Sequence, residues 1–234
     1  VFSDKHLSYS WAHADEMART SKELGFEMMA GSSLPFAEQR PPHNIPPGAS
    51  IESAVAIHGH AVETYDFHAL EMLQANLERR DGGQGGVSAV QFLEGDSVIA
   101  AAADGRISTE LVSAAMAAED AVEGTAYASH LGRNWELPQS DVRQRDIATN
   151  SVIHPAMRFS PDGSVQKPHA ILLRCADGLN AAMVRIGDDN LRWNFACQLK
   201  GEAQPRATRY HVGPWRGRWN FRTYLIQSLN SPQC

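Results

Sequence analysis

The chain has 234 residues, 43% hydrophobic and 21% charged, and its 21 Lys and Arg against 27 Asp and Glu give a net charge of −6. This composition excludes disordered, collagen-like and coiled-coil proteins and indicates a soluble globular protein with one sizeable core or two smaller ones. The negative charge argues against general affinity for nucleic acid or membranes, and the longest apolar run, residues 98–103, is too short to cross a bilayer.

The chain opens with a predicted strand, helix and strand. Residues 1–2 are typical of the end of a buried strand, residues 11–24 of a helix that Gly25 ends, and residues 26–30 of a second strand. One predicted face of the helix carries Trp11, Ala14, Met17, Ala18 and Leu24. This order is the crossover unit of a parallel sheet. Because a strand needs more than two residues, we expect protein sequence to be missing before Val1.

A proline-rich segment follows and marks a predicted domain boundary. Five of the 12 prolines lie between residues 35 and 48, and this density excludes regular structure there. We therefore expect the chain to cross between two domains over residues 35–50.

The remainder of the chain predicts an α+β domain over residues 51–234. Its first half carries predicted strands at 51–57 and 87–93 and helices at 66–80 and 108–119. From residue 151 onward, turn signals separate β-like runs that predict antiparallel hairpins, namely 151–159, 170–175, 181–186 and 191–199. A last helix is predicted at residues 220–229.

The cysteine count indicates the redox compartment. Three cysteines, Cys175, Cys197 and Cys234, are odd in number and widely spaced. This pattern favours reduced thiols in a cytoplasmic protein over a disulfide framework.

The sequence around Lys5 lies where the first strand ends, and ligands of open parallel sheets collect at that edge. The segment Val1-Phe2-Ser3-Asp4-Lys5-His6, followed by a helix and a strand ending in Gly31, resembles the Gfo/Idh/MocA family of nicotinamide-dependent oxidoreductases. In that family a Glu-Lys-Pro motif occupies this position. The resemblance implies that Lys5 assists proton transfer, that Asp4 orients Lys5, and that both residues contribute to cofactor binding.

A second matching segment lies on the predicted helix at residues 66–80. Family members carry an Asp-x-x-x-His pair followed by an acid three residues later, and His68 and Glu71 fit the second half of this pattern. The resemblance implies that His68 is a catalytic acid-base. Because Thr64 occupies the aspartate position, Glu63 or Asp66 would have to support His68.

The resemblance also implies a fold and a reaction. The fold would be α/β plus α+β, with residues 1–34 as the carboxyl-terminal remnant of a Rossmann-type dinucleotide-binding domain. A substrate domain with a largely antiparallel sheet, covered by helices on one face, would follow at 51–234. The reaction would be hydride transfer between NAD or NADP and a small molecule such as a sugar or cyclitol, in a possible homo-oligomer.

The family's glycine-rich pyrophosphate loop has no counterpart here. Residues 82–86 contain four glycines, but they follow a predicted helix and precede a strand, the reverse of a dinucleotide-binding turn. We interpret them as a helix end and turn. The cofactor would then be bound mainly by residues outside this chain, and the fragment alone would be inactive.

Three alternatives remain open from the sequence. His58-Gly59-His60 after an apolar strand is similar to the spacing of zinc ligands in metal-dependent hydrolases, although two loop histidines beside a glycine turn are the preferred interpretation. The segment 215–222 interleaves aromatic residues with arginines, which would suit packing, a sugar or single-stranded nucleic acid. The altered motif at Asp4-Lys5-His6 would also suit a non-catalytic relative that binds a ligand or partner.

Overall fold

The computed structural model describes residues 1–3, 5–59, 62–122, 168–186, 192–211, 214–215 and 218–219. At the amino terminus, β1 (Phe2–Ser3) and β2 (Met29–Ala30) form a parallel pair joined by helix α1 (Trp11–Leu24). Gly25 ends α1 in the left-handed conformation, with φ of 68°. The predicted strand-helix-strand opening is therefore confirmed within the described residues.

The exposure of α1 differs from the amphipathic pattern. Trp11 is 85% exposed and Leu24 71% exposed, and Ser21 is the buried residue of this helix. The two-stranded pair beside α1 offers too small a surface to cover one side of a helix. The acidic residues Asp15 and Glu16 lie beyond the first turn of α1.

The second sheet has seven strands in the described part of the chain. They are β3 (Glu38–Arg40), β4 (Ile51–His58), β5 (Val87–Glu94), β6 (His169–Cys175), β7 (Asn180–Arg185), β8 (Trp193–Leu199) and β9 (Arg206–His211). Their order is β3-β9-β8-β4-β7-β6-β5. The central pair, β4 and β7, is parallel, and every other neighbouring pair is antiparallel. The sheet is therefore mixed, and the class is α+β.

Helices cover both faces of this sheet, whereas the sequence predicts helices on one. Side chains alternate along β4, so Ala54 and Ala56 face helix α2 (Phe67–Leu77), while Val55 and Ile57 lie in a second core. That second core includes buried residues of α3 (Asp96–Ala103) and α4 (Thr109–Val122). A strand that is apolar on both faces needs cover on both, because exposed apolar area is unfavourable in water.

Two strands of the seven-stranded sheet and helix α3 are not among the predicted elements. Strand β3 lies in the proline-rich crossing and pairs with β9, which was also not predicted. Helix α3 corresponds to the apolar run at 98–103, where Val98 and Ala101 are fully buried. The glycine-rich stretch at 82–86 lies between α2 and β5, as the interpretation of a helix end and turn requires.

Some predicted elements lie outside the described residues, namely the run at 151–159 and the helix at 220–229. Of the segment 215–222, the structure describes two short antiparallel strands, β10 (Pro214–Trp215) and β11 (Arg218–Trp219). No helix in the described ranges has the length and apolar character needed to span a membrane.

Candidate functional site

The carboxyl ends of β1 and β2 bring Lys5 next to Gly31. The Gly31 amide donates a hydrogen bond to the Lys5 carbonyl oxygen at 3.0 Å, which extends the parallel pairing by one step. Lys5 is exposed at this edge. The loop that carries Lys5 also reaches α2, since the His6 ring lies 5.2 Å from the Phe67 ring.

Ser32 connects this edge to His68. The side chain of Ser32 is buried, and its Oγ lies 2.6 Å from Nδ1 of His68. The same Oγ accepts a hydrogen bond from the Leu34 amide at 3.0 Å. The Ser32 hydroxyl can donate to Nδ1 or accept a hydrogen bond from a proton on Nδ1, so this contact fits either neutral tautomer of His68. Ser32 therefore fixes the position of the His68 ring and leaves Nε2 as the second ring nitrogen.

Glu71 packs against the turn that follows β2. It lies one helical turn beyond His68 on α2, and its Oε2 accepts a long hydrogen bond of 3.4 Å from the Ser32 amide. A Cβ atom on Gly31 would come 2.7 Å from this oxygen, and Gly31 has φ of 139°. Burial raises the pKa of Glu71 against the lowering effect of the Ser32 amide. The backbone conformation of Gly31 therefore favours glycine, and a Cβ atom there would in addition displace the flexible end of the Glu71 side chain.

The start of α2 positions His68. A π-helical turn, Val62–Asp66, precedes α2, and its wider winding leads directly into Phe67 and His68. The His68 ring packs edge-on against Trp193 at 5.9 Å. Wide turns of this type are frequent at functional sites.

A second group of polar residues lies at the same end of the large sheet. His58 is the last residue of β4 and His169 the first of β6, and both flank β7. Because β6 runs antiparallel to β7 and β4 runs parallel to it, these two strand ends meet at one edge. Asp66, from the π-helical turn, reaches between the two histidines, and all three side chains are buried.

Distances within this histidine-aspartate cluster, defined as His58, Asp66 and His169, are short. Asp66 Oδ1 lies 2.9 Å from His58 Nε2 and 2.8 Å from His169 Nε2. Burial lowers the pKa of His58, which outweighs the raising effect of Asp66. Burial acts to raise the pKa of Asp66, but the contacts with His169 and His58 outweigh it and hold that pKa below its usual value. The cluster therefore combines an ionised carboxylate with imidazole nitrogens.

Aromatic rings separate and align the two groups. Trp193 stacks on His58 at 6.1 Å with an interplanar angle of 19°, and on Tyr65 at 5.4 Å with 18°. Phe92 stacks on His169 at 5.8 Å. Because stacked rings resist rotation about the side-chain bonds, the histidine nitrogens are held in fixed directions.

The structure brings some of the predicted site residues together and separates others. Lys5, through its backbone, and His68 lie at the same strand edge, linked through Gly31 and Ser32. Asp66 contacts His58 and His169, and the described partner of the His68 Nδ1 atom is Ser32. Asp4, His60 and the side chain of Glu63 lie outside the described residues. His58 ends a strand and is fully buried, so it is not a loop histidine.

Sequence reasoning did not single out Ser32 or His169. Ser32 follows the second strand of a parallel pair. Ligands of open parallel sheets bind at the carboxyl ends of the strands, so the argument made for Lys5 applies to Ser32 as well. His169 begins an apolar strand and has no local motif. Its distance of 103 residues from Asp66 in the chain leaves no spacing pattern to detect.

Comparison with known proteins found no match to this chain among protein-family models, curated proteins or solved structures. The contacts described above are therefore the basis for assigning a function.

Proposed function

We propose that this chain belongs to an NAD(P)-dependent oxidoreductase similar to Gfo/Idh/MocA enzymes, acting at a hydroxyl or carbonyl carbon of a sugar, cyclitol or related small molecule. The observation that supports this proposal is the hydrogen bond between Ser32 and His68 at the strand edge that also carries Lys5. That edge is where open parallel sheets bind ligands.

In this proposal, His68 transfers a proton at the substrate oxygen. A general acid-base must be oriented by a neighbouring group, and Ser32 supplies that orientation through Nδ1. When Nδ1 carries a proton and donates it to Ser32 Oγ, Nε2 would accept the proton of a substrate hydroxyl, and the resulting imidazolium would return it to a carbonyl oxygen in the reverse direction. The imidazole ring suits this role because it changes charge near neutral pH.

Lys5 is proposed to bind the same substrate oxygen. A lysine ammonium group donates hydrogen bonds to an alkoxide or carbonyl oxygen and stabilises negative charge that develops there. Lys5 is exposed beside the Gly31 turn, so a ligand can reach it. Asp4 would orient Lys5, and Glu63 would act near His68. Asp66 would act on the start of α2 through its contacts with His58 and His169 rather than on His68 itself.

The described part of the chain does not fit the pyrophosphate of a dinucleotide. Pyrophosphate binding needs a glycine-rich turn from a strand into a helix, and the glycine-rich turn at 82–86 runs from a helix into a strand. When bound, a nicotinamide would supply or accept the hydride. The residues of this chain are therefore assigned only to substrate binding and proton transfer.

The test is a turnover assay on the protein in its natural full-length form. NAD(H) and NADP(H) are supplied with a panel of sugars and cyclitols, and nicotinamide absorbance is followed. We expect Lys5→Ala and His68→Asn each to lower turnover by roughly 100-fold or more if they take part in proton transfer. Near-wild-type turnover of either variant would overturn its assigned role.

Matched controls lie at exposed positions of α1 that have no role in the proposal. Lys22→Ala removes a lysine and His13→Asn removes an exposed histidine, and both should keep wild-type turnover. Binding of NAD(H) or NADP(H) without turnover of any panel member would instead favour a non-catalytic relative that binds its ligand.

A further inference from the structure

The histidine-aspartate cluster has a chemistry that the proposed oxidoreductase reaction does not use. Its three side chains come from the end of β4, the π-helical turn and the start of β6. Each offers one ligand atom, and these atoms all lie within 4.8 Å of one another. The cluster can therefore have a role that is independent of the proposed reaction.

The hydrogen bond made by one ring nitrogen of His58 determines the protonation of the other, which faces Asp66. Nδ1 lies 2.8 Å from the Gly59 carbonyl oxygen, and a carbonyl oxygen can only accept, so Nδ1 carries the proton. In the neutral ring, the Nε2 lone pair therefore points into the cluster. Nε2 lies 2.9 Å from Asp66 Oδ1, but it forms no hydrogen bond of normal geometry with any described residue.

This arrangement is typical of a metal-ligating histidine. Such a residue donates its other ring N–H to a carbonyl or carboxylate oxygen, which fixes the tautomer and directs the free nitrogen at the cation. Without a cation, a nitrogen lone pair and a carboxylate oxygen would face each other at a contact distance, which is repulsive. A positive charge between them makes the same contact favourable.

Asp66 supplies a second independent observation. The residue is 5% exposed, and its Oδ2 has no hydrogen-bond partner among the described residues. A buried carboxylate oxygen without a partner is costly, because it has lost its hydration and gained nothing in return. A bound cation removes this cost.

The distances are compatible with a small transition-metal ion. Zinc lies about 2.0 to 2.1 Å from nitrogen and oxygen ligands, so two ligands at a tetrahedral angle are about 3.3 Å apart. The two nitrogen–oxygen contacts of 2.8 and 2.9 Å therefore need to widen by only about half an ångström on loading. His169 would carry its proton on Nδ1 in that state, leaving Nε2 to bind.

The geometry points to a buried site for a divalent transition-metal ion, ligated by His58 Nε2, Asp66 and His169 Nε2. Two imidazoles and one carboxylate suit zinc, iron(II) or cobalt(II), whereas calcium and magnesium prefer sites made of oxygen ligands. The ion would fasten the π-helical turn to the ends of β4 and β6. Because α2 follows that turn directly, the ion would also fix the start of the helix that carries His68.

The test begins with the full wild-type chain treated with EDTA. Zinc is added and the bound metal is measured by elemental analysis, and the melting temperature is recorded by differential scanning calorimetry. We expect one equivalent of zinc per chain and a rise in melting temperature of about 5 to 10 °C at a free zinc concentration 100 times Kd. Cobalt(II) should give visible d–d absorption and quench Trp193, which stacks on His58.

Variants identify the ligands. Asp66→Asn removes the carboxylate charge and should weaken zinc binding by roughly 100-fold. His169→Cys replaces one imidazole by a thiolate, and cobalt(II) should then show a new near-ultraviolet sulfur-to-metal charge-transfer band. The matched control is His13→Cys on exposed α1, which should show no such band.

The natural thiols set the background for this experiment. Cys175 and Cys197 are buried, so neither should compete for cobalt, and burial raises the pKa of the Cys197 thiol to about 12. Wild-type protein measured in parallel accounts for Cys234. Circular dichroism confirms that each variant is folded before the spectra are compared.

The proposal is overturned if EDTA-treated wild-type protein takes up no stoichiometric zinc. It is equally overturned if zinc binds but Asp66→Asn and His169→Cys bind it with wild-type affinity, or if folded His169→Cys gives no charge-transfer band. If a variant does not fold, the wild-type titration alone decides. Because no readout is enzymatic activity, failure here is distinguishable from failure of the oxidoreductase proposal.

Discussion

Ser32 Oγ and His68 Nδ1 lie 2.6 Å apart, although 36 residues separate them in the chain. Ser32 follows a strand of the small parallel pair, and His68 lies in the first turn of the helix that packs on the large sheet. This hydrogen bond therefore joins the amino-terminal unit to the α+β part beside the strand edge that carries Lys5.

The first prediction concerns this hydrogen bond. Ser32→Ala removes the hydroxyl that orients His68, and a misplaced acid-base slows proton transfer. We expect kcat to fall by roughly 10- to 100-fold with a small change in KM. The measurement is steady-state turnover of the full-length protein on its identified substrate.

Ser32→Thr keeps the hydroxyl and serves as the rescue variant. It should recover most of the lost turnover, and the nitrogen NMR shifts of His68 should report the wild-type tautomer in Ser32→Thr but not in Ser32→Ala. If Ser32→Ala retained full kcat, the hydrogen bond would have only a structural role.

The second prediction compares two glycines with positive φ. Gly25 has φ and ψ of 68° and 29°, the left-handed region that asparagine tolerates, and no atom lies within 4 Å of the position that a Cβ would occupy there. Gly31 has φ of 139°, and a Cβ would meet Glu71. Gly31→Asn should therefore cost about 1 to 3 kcal/mol of stability and Gly25→Asn much less, as measured by urea denaturation. Equal costs would show that neither the φ of Gly31 nor the approach of Glu71 constrains this position.

The third prediction concerns a buried ion pair between α4 and the start of β8. Arg192 donates to both oxygens of Glu119 at 2.8 and 3.2 Å, and Asn194 donates to one of them at 2.6 Å. Glu119→Gln removes the buried carboxylate charge that faces the Arg192 guanidinium. We expect a loss of about 3 to 5 kcal/mol in the free energy of unfolding, measured by urea denaturation.

Glu110 on the same helix is exposed and supplies the control. Glu110→Gln should change stability by less than about 0.5 kcal/mol. The double variant Glu119→Met/Arg192→Met should be more stable than Glu119→Gln, because it leaves no buried charge unpaired. A double variant less stable than Glu119→Gln would show that packing, not charge, dominates at this position.

The fourth prediction is a pH dependence that originates in buried histidines. His43 lies 2.9 Å from the Asn76 carbonyl oxygen through Nε2, and its Nδ1 accepts from the Ile45 amide. The Asn76 amide nitrogen donates to the Met72 carbonyl oxygen, which fixes the amide orientation. Neutral His43 is therefore satisfied, and a second ring proton would face an amide proton.

Burial lowers the pKa of His43 below its ordinary 6.5, and burial likewise lowers the pKa of His211 to about 4. The unfolded chain thus binds more protons below pH 6.5. Stability is fully present above that pH and falls as the pH decreases toward the folded pKa values, by up to about 1.4 kcal/mol per pH unit for each group.

His43→Gln should reduce this slope, whereas His13→Gln, at an exposed site, should leave it unchanged. The measurement is the free energy of unfolding from urea titrations between pH about 7.5 and about 4.5, a range that spans the ordinary histidine pKa. An unchanged slope in His43→Gln would show that His43 does not carry this linkage.

The local sequence pattern was sufficient to predict the bounds of helices and strands that are specified by their own residues. Helix α1 has the predicted bounds, because the end of the helix is specified locally by the left-handed Gly25. Strand β4 extends the predicted run by one residue to His58, and α2 lies within its predicted range. The apolar positions of α1 did not predict burial, since burial depends on what packs against a helix.

The local sequence pattern did not predict which strands pair with each other in the large sheet. The sequence identified β6, β7 and β8 as strands, but the insertion of β4 between β7 and β8, with a parallel β4–β7 pair, depends on long-range packing. The short strands β3 and β9 gain their structure from pairing with each other and with the sheet edge, so neither has a strong pattern of its own.

The sequence by itself determined the class of the protein, most of its helices and central strands, and the strand edge that carries Lys5. Only the tertiary structure brought Ser32 to His68 and His169 to Asp66, because those contacts join segments 36 and 103 residues apart. Periodicity reports which face of an element is buried, whereas the sheet order decides which polar residues meet at its edge.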